Sequence, residues 1–173
     1  MADPVENRFL ELLLDAVASI KEPRLFATER GYQGRLLSEL NVRSPMLTVY
    51  APNAIVEQEY QKTRSKHGLV SRPDVIIHIP HEYGFTRSRA DGNLAVIQIK
   101  RRATKARARD DFTALRMLSE QLSYSLCVFL HIDSERTFVE LCPDSIASRT
   151  HCIATLLDRG TLRVTHHSCA GVV

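Results

Sequence analysis

Residues 94–100 read LAVIQIK, an apolar run rich in β-branched side chains that ends in a lysine. A run of this length and composition is typical of a buried strand. Gln98 and Lys100 lie two residues apart, so in a strand both side chains project from the same face. Placing an amide and an ammonium beside such a core costs free energy unless both find partners. The stretch therefore predicts a core strand with a polar site near its C-terminal end.

A second apolar run, VSRPDVIIHIP at residues 70–80, precedes that strand in the chain. It predicts a neighbouring strand, and Asp74 lies at the start of its β-branched part. The loop that joins the two runs is long enough to let the two strands lie side by side. Asp74 is then expected to meet Gln98 and Lys100 in one pocket.

These three side chains are suited to cutting a phosphodiester bond. The Asp74 carboxylate can hold a hard divalent cation such as Mg²⁺, with the amide oxygen of Gln98 as an uncharged ligand. Such a cation polarises the phosphodiester and lowers the pKa of a bound water. Lys100 can orient or deprotonate that water, or stabilise the charge that develops on the phosphate. Each residue also has a structural interpretation: a turn cap, a satisfied buried amide, and a strand-end lysine that reaches water.

The two runs together resemble a known family of nucleases. Pro73-Asp74 followed by Gln98-x-Lys100 is similar to the motif of the PD-(D/E)xK superfamily, which has the restriction-endonuclease-like fold. The resemblance implies a core of a helix, three strands, a helix and a strand (αβββαβ) over about residues 28–132. The chain is thus expected to be an α/β protein with a mixed central sheet flanked by helices.

The resemblance also implies an activity, which is metal-dependent hydrolysis of DNA with Mg²⁺ or Mn²⁺ as the cofactor. The family often adds a glutamate from the first core helix, and Glu29 is the best match here, with Glu39 second. The implied metal ligands are Asp74, Gln98 and Glu29. The implied catalytic set is these three residues and Lys100.

Gln98 departs from the motif, because most members of the superfamily have Glu or Asp at that position. Glutamine resembles the pattern of Mrr-type restriction endonucleases, so the departure does not imply an inactive enzyme. It removes one anionic ligand, and Glu29, Glu57 or Glu59 can make up the missing charge. Two alternatives stand beside the nuclease: a catalytically inactive nuclease-fold module that binds DNA or a protein, and an unrelated α/β protein.

A basic segment, RRATKARAR at residues 101–109, directly follows the site lysine. Such a run is either a solvated helix face or loop, or a surface that contacts phosphates. Because it leaves the site along the expected substrate path, we predict that it binds the DNA backbone without reading sequence. RNA is the alternative nucleic acid, and a homodimer is expected if both strands are cut. The predicted contacts are Arg101, Arg102, Lys105, Arg107 and Arg109.

Apolar spacing and turn signals predict the elements that precede the two site strands. An N-terminal helix is expected over residues 5–20. A second helix is expected to begin near Thr28, a suitable N-cap, and to break at Ser44-Pro45. Residues 55–60 (IVEQEY) then predict the first strand of the sheet.

The same signals predict the elements that follow the basic segment. The next helix is expected to be capped by Asp110 or Asp111, and residues 125–132 predict a strand covered on both faces. One mixed sheet flanked by helices is the natural packing of this order. The C-terminal extension, about residues 137–167, is expected to form a strand at 138–142, a helix from Asp144 that Arg159-Gly160 ends, and a strand at 161–167.

The composition of the 173 residues, 44% hydrophobic and 25% charged, is ordinary for one globular domain and excludes collagen and disorder. No apolar run approaches about 18 residues, so neither a transmembrane helix nor a membrane partner is expected. No secretory signal is recognisable at the N-terminus, and we expect a cytoplasmic protein. Its four cysteines are therefore expected to be free thiols.

Overall fold

The computed structural model describes residues 4–58, 72–81 and 91–171, and these form one six-stranded mixed sheet. The strands are β1 (Ile55–Gln58), β2 (Val75–His78), β3 (Asn93–Arg101), β4 (Leu126–Ile132), β5 (Thr150–Asp158) and β6 (Thr161–Ser168). They lie in the sheet in chain order. β1 to β3 are antiparallel neighbours, β3 to β5 are parallel, and β5 and β6 form an antiparallel hairpin.

Helices cover both faces of this sheet. In the described residues, the α-helices are α1 (Pro4–Ser19), α2 (Glu29–Leu47), α3 (Lys105–Leu122) and α4 (Asp144–Ala147), and 3-10 helices span Pro23–Ala27 and Val139–Leu141. α1 and α2 pack on one face, and α3 and α4 on the other. The predicted α/β class, with a mixed sheet flanked by helices, is confirmed. In the part of the chain that the structure describes, no helix is long and apolar enough to cross a membrane.

Each face of the sheet has its own apolar core, because side chains alternate along a strand. On the α1 and α2 side, β3 contributes residues such as Ala95 and Ile97 to one buried cluster. On the α3 side, Val96 belongs to a second cluster. Gln98 and Lys100 therefore lie on the α3 face of β3, beyond the end of its apolar contribution.

α2 begins where the sequence predicts, directly after Thr28. The Thr28 hydroxyl accepts a hydrogen bond from the Gly31 N–H at 3.0 Å, which satisfies one of the free N–H groups of the first turn. A Cβ at position 31 would lie 2.9 Å from that hydroxyl, so glycine leaves room for the cap. This cap places Glu29 in the first turn of the helix.

The predicted break of α2 at Ser44-Pro45 is wrong, because the helix continues to Leu47. Pro45 has no N–H to donate to the carbonyl of Asn41, one turn earlier. The Ser44 hydroxyl donates to that carbonyl instead, at 2.8 Å. A proline is tolerated here because a side chain supplies the hydrogen bond that its ring cannot make.

The predicted cap of the helix after the basic segment is also wrong. α3 begins at Lys105, and its N-cap is Thr104, whose hydroxyl accepts a hydrogen bond from the Arg107 N–H at 3.3 Å. The second half of the basic segment therefore lies in the first turns of a helix. Asp111 lies inside that helix and is buried.

The predicted strand–helix–strand extension is wrong in its first two elements. In place of a strand at 138–142, the chain forms the 3-10 helix Val139–Leu141, which follows Phe138 with a positive φ of 53°. The expected long helix is only the four residues of α4, and most of its remaining predicted span is β5. β5 pairs with β4 on one side and β6 on the other, and this pairing outweighs the helix-like spacing of its leucines.

Arg159-Gly160 joins β5 to β6 in place of ending a helix. Both residues have positive φ, 48° and 83°, which is the conformation of a two-residue hairpin turn. Leu157 pairs with Leu162 and Asp158 with Thr161 across this turn. The predicted last strand at 161–167 is confirmed by β6.

The four cysteines are free thiols, and three of them are buried. The sulfur atoms of Cys152 and Cys169 lie 3.4 Å apart on the α3 side of the sheet. Burial raises the pKa of the Cys127 thiol to about 11, so this thiol stays protonated at neutral pH. These side chains act as small apolar groups of the core.

Candidate active site

Asp74 lies at the point where β2 diverges from β3. Val75 is opposite Ile97 in the ladder, which places Asp74 beside Gln98. From here β3 continues without β2 as a partner. The Oδ2 of Asp74 accepts a hydrogen bond from the Ile99 N–H at 2.7 Å. The carboxylate therefore takes the place of a backbone acceptor and is held against the edge of β3.

Two amide side chains hold the segment that carries Asp74. Gln33 of α2 donates its Nε2 to the backbone carbonyl of Asp74 at 2.6 Å. Gln98, which is only 3% exposed, donates its Nε2 to the backbone carbonyl of Arg72 at 3.4 Å. Sequence reasoning missed Gln33. Its signal is an amide beside the apolar stripe of α2, between the buried Tyr32 and Leu36.

Lys100 and Glu29 meet at the same end of β3. The Glu29 Oε1 accepts a hydrogen bond from the Arg101 N–H at 2.9 Å, which ties the first turn of α2 to the strand. The Glu29 Oε2 lies 3.9 Å from the Lys100 Nζ. The structure thus brings together four side chains named from the sequence, which we call the fork site: Asp74, Gln98, Lys100 and Glu29.

Asp111 is a fifth side chain at the fork site, and sequence reasoning missed it. Its Oδ1 lies 3.6 Å from the Lys100 Nζ. Burial raises the pKa of Asp111 to about 6, and the negative charges of Asp74 and Glu29 act in the same direction, against the attraction of Lys100. Within the described residues, its Oδ2 is buried without a hydrogen-bond partner.

A sequence signal for Asp111 exists, although it was read as a cap. Asp111 lies three residues after Ala108, four before Leu115 and seven before Leu118. These three residues form the buried face of α3, so Asp111 lies on that face. A carboxylate in the middle of such a stripe is costly unless it has a polar partner. That partner is Lys100, which comes from the neighbouring strand and cannot be assigned from the spacing on the helix alone.

The donor chemistry of the fork site suits a hard divalent cation. Asp74, Gln98 and Glu29 offer carboxylate and amide oxygens, which are the ligands that Mg²⁺ prefers. The unpartnered Oδ2 of Asp111 is a further oxygen that a nearby positive charge would satisfy. Among the described residues, no group of three or more His, Cys, Asp or Glu side chains is close enough to hold a metal ion together. The set named here has two carboxylates and an amide.

Other acidic candidates lie away from the fork site or are engaged elsewhere. Glu39, on a later turn of α2, pairs with Arg43 and with Arg35, and its hydrogen bond from Arg43 lowers its pKa. Glu57 of β1 bonds the ring of His78 at 2.8 Å on the edge of the sheet. Glu59 lies outside the described residues.

The first two residues of the basic segment form contacts within the fold. Arg101 follows Lys100 in β3 and so projects from the opposite face of the sheet. It donates its Nε to the Phe26 carbonyl at 2.7 Å and its Nη2 to Asp133 at 3.0 Å. Arg102 also pairs with Asp133, at 2.7 Å, although its side chain is 66% exposed. Arg101 is therefore the member of the predicted phosphate contacts least available to a ligand.

The other three basic residues of the segment extend from the first turns of α3 into solvent. Lys105, Arg107 and Arg109 are all exposed. In the described ranges, none of the three has an ion-pair partner, unlike Arg101 and Arg102. The helix that carries them also carries Asp111, so they lie on the element that covers the fork site.

No protein-family model, no curated protein and no solved structure matches this chain. What the fork site does must therefore be argued from its own residues and their geometry.

Proposed function

We propose that this chain is a metal-dependent nuclease that hydrolyses phosphodiester bonds in DNA, with a site of the PD-(D/E)xK type. The observation that carries the proposal is the meeting of Asp74, Gln98 and Lys100 where β2 diverges from β3, with Glu29 beside them. Two carboxylates, an amide and one ammonium meet at one end of β3. They are a combination that phosphoryl chemistry uses.

In this proposal Asp74, Gln98 and Glu29 hold Mg²⁺ or Mn²⁺. The cation, when bound, supplies the positive charge that polarises the scissile phosphodiester. The hydrogen bond from the Ile99 N–H fixes one oxygen of Asp74, and the bond from the Arg101 N–H fixes one oxygen of Glu29. Both carboxylates are thus oriented by the same strand, which keeps their spacing rigid.

Lys100 acts on the water and the phosphate. Its Nζ lies 3.9 Å from Glu29 and 3.6 Å from Asp111, so the ammonium is held at the site by two carboxylates. From that position it orients the attacking water or donates a hydrogen bond to the charge that develops on the phosphate. The substrate backbone is contacted by Lys105, Arg107 and Arg109 of α3, without reading sequence. A homodimer would present one fork site to each strand of a duplex.

A second candidate function is a catalytically inactive module that uses the same surface to bind DNA or a protein. Gln98 favours it, because an amide at this position gives the site one negative charge fewer than the usual motif. This candidate predicts binding of DNA with no dependence on a divalent cation and no hydrolysis.

The test is cleavage of supercoiled and linear DNA by the purified chain, with and without Mg²⁺ or Mn²⁺. We expect cleavage that requires the cation and that falls below about one hundredth of the wild-type rate in Asp74→Ala. The matched control is Asp158→Ala, which removes an exposed acid on the β5–β6 hairpin and should leave the rate unchanged.

Calorimetric titration with Mn²⁺ separates the two candidates independently of turnover. Binding of the cation that is lost in Asp74→Ala supports the nuclease. DNA binding without cleavage and without a cation site would establish the inactive module instead. Cleavage that survives Asp74→Ala would mean that the fork site is not the active site.

A further inference from the structure

We infer that Asp111 of α3 is a positioning residue of the fork site, which holds the Lys100 ammonium in its working place. This inference rests on the proposed function and adds to it a carboxylate from a helix that the two strand motifs do not include. Asp111 is contributed by the element that covers the site, whereas the other members come from β3, α2 and the start of β2.

The geometry of the Asp111 and Lys100 pair supports this role. The Oδ1 of Asp111 lies 3.6 Å from the Lys100 Nζ, closer than the 3.9 Å to Glu29. The Asp111 residue is 8% exposed, while Glu29 is more open to solvent. Interactions between charges strengthen where water is excluded, so the buried carboxylate is the stronger constraint on the ammonium.

An unpartnered oxygen of the Asp111 carboxylate also supports this role. Within the described part of the chain, the Oδ2 of Asp111 is buried and accepts no hydrogen bond. A buried acceptor without a partner costs free energy, so packing alone does not account for an aspartate at this position. An alanine or leucine would continue the buried stripe of Ala108, Leu115 and Leu118. The other oxygen of the same carboxylate, Oδ1, is the one that lies near the Lys100 ammonium.

The charge balance at the site is consistent with a further carboxylate. The fork site has two carboxylates and one lysine, and Asp111 adds a third carboxylate. Gln98 stands where most members of the resembled superfamily have an acid, so Asp111 brings the number of carboxylates back to that of a site with an acid at position 98. Asp111 lies on α3 and Gln98 on β3, so the two side chains occupy different positions at the site. The carboxylate of Asp111 contacts Lys100.

The experiment compares Asp111→Asn with Asp110→Asn, a neighbouring exposed acid on the same helix. The first readout is pulse acetylation of lysines, followed by mass spectrometry, with the exposed Lys21 as the internal reference. Removing the carboxylate that holds its ammonium should make Lys100 react about threefold faster in Asp111→Asn, with no change in Asp110→Asn. This readout needs no DNA, no metal and no turnover.

The second readout is DNA cleavage by the same two variants and by Lys100→Met. We expect Asp111→Asn to lower kcat about tenfold with KM for DNA unchanged, because the ammonium is displaced and the DNA contacts are intact. The double variant Lys100→Met, Asp111→Asn should be no slower than Lys100→Met alone, since Asp111 acts through Lys100. Asp111→Ala, measured in parallel, shows whether loss of the charge or a misplaced amide causes the effect.

An unchanged acetylation rate of Lys100 in both Asp111 variants would overturn the inference, as would an unchanged kcat when the wild type cleaves. If the wild type does not cleave DNA, the proposed function fails. The acetylation ratio then still decides whether Asp111 holds Lys100. Additive losses in the double variant would mean that Asp111 acts on the reaction directly, and the positioning role would be wrong.

Discussion

The two faces of β3 differ sharply, although they belong to the same nine residues. Towards α1 and α2, Ala95, Ile97 and Ile99 are all buried in an apolar cluster. Towards α3, Val96 is apolar, but Gln98 and Lys100 continue the face with an amide and an ammonium. The first face is therefore apolar from Ala95 to Ile99 and polar only at Arg101, and we call this apolar part the uniform face. The other face changes from apolar to polar at the point where β2 diverges.

The two faces of β3 therefore contribute differently to the free energy of folding. The uniform face removes apolar surface from water between Ala95 and Ile99, which favours folding. The polar end of the other face gains little from burial and holds a carboxylate whose pKa is raised by that burial. A polar cluster that lowers stability in this way is what the proposed function leads us to expect.

The largest effect should come from Lys100→Met, which removes the ammonium and keeps most of the side-chain volume. We expect kcat for DNA cleavage to fall about 10³-fold or more, because both water orientation and charge stabilisation are lost. The midpoint of urea unfolding should also fall at pH 7.5, because the buried Asp111 carboxylate loses its positive partner, so cleavage is compared per folded molecule. A rate within tenfold of the wild type would show that the polar end of β3 is not the catalytic site.

The matched change on the opposite face is Ile97→Ala. It should lower the free energy of unfolding by about 3 kcal/mol, because a fully buried side chain leaves a cavity. Cleavage per folded molecule should be close to wild type, since Ile97 faces α1 and α2. Urea denaturation and active-site titration measure the two quantities separately. A large loss of kcat at full folding would contradict the division between the faces.

How far the sequence predicted this site depends on how local the signal is. Gln98 and Lys100 share one strand, and Asp74 begins the preceding run, so period-two alternation and one hairpin-like connection were enough to group them. Asp111 lies on a helix, and its contact with Lys100 depends on how α3 packs on the sheet. The local sequence is also compatible with an N-cap at Asp111, whereas the cap in the structure is Thr104.

The fold shows the same limit in β5. The order of elements along the chain up to β4 follows from alternation and buried runs, and the predicted class is confirmed. In β5, Ile153, Leu156 and Leu157 have a helix-like spacing, but the segment pairs with strands on both sides. That pairing depends on residues distant in the sequence, so it cannot be predicted from the spacing of apolar residues within the segment. The turn at Arg159-Gly160 was the local signal for a hairpin.

Asp111→Asn should stabilise the folded protein at neutral pH, although it impairs the site. Burial raises the folded-state pKa of Asp111 from 3.8 to about 6. The folded state therefore holds the proton more tightly than the unfolded chain. Ionisation begins to subtract stability as the pH rises above the unfolded value, and the loss is complete above the folded value. Asparagine does not ionise, so it avoids this loss.

The expected gain for Asp111→Asn is about 3 kcal/mol in the free energy of unfolding at pH 7.5, and close to zero at pH 3.5. Urea denaturation at the two pH values measures it. Asp110→Asn, an exposed change one residue earlier, should be neutral at both. A destabilised Asp111→Asn at pH 7.5 would mean that the carboxylate stabilises the fold. Asp111 would then contribute to stability as the residues of the uniform face do.

The smallest effect concerns the basic residues beside the polar end. Arg109→Ser should reduce the slope of log affinity for DNA against log salt by about 0.9, because one phosphate contact is lost. Arg116 is exposed on the same side of α3, seven residues or about 10 Å further from the start of the helix. Arg116→Ser should leave that slope unchanged. Equal slopes for the two variants would mean that α3 attracts DNA by its overall charge, and the contact would then not be aligned with the polar end of β3.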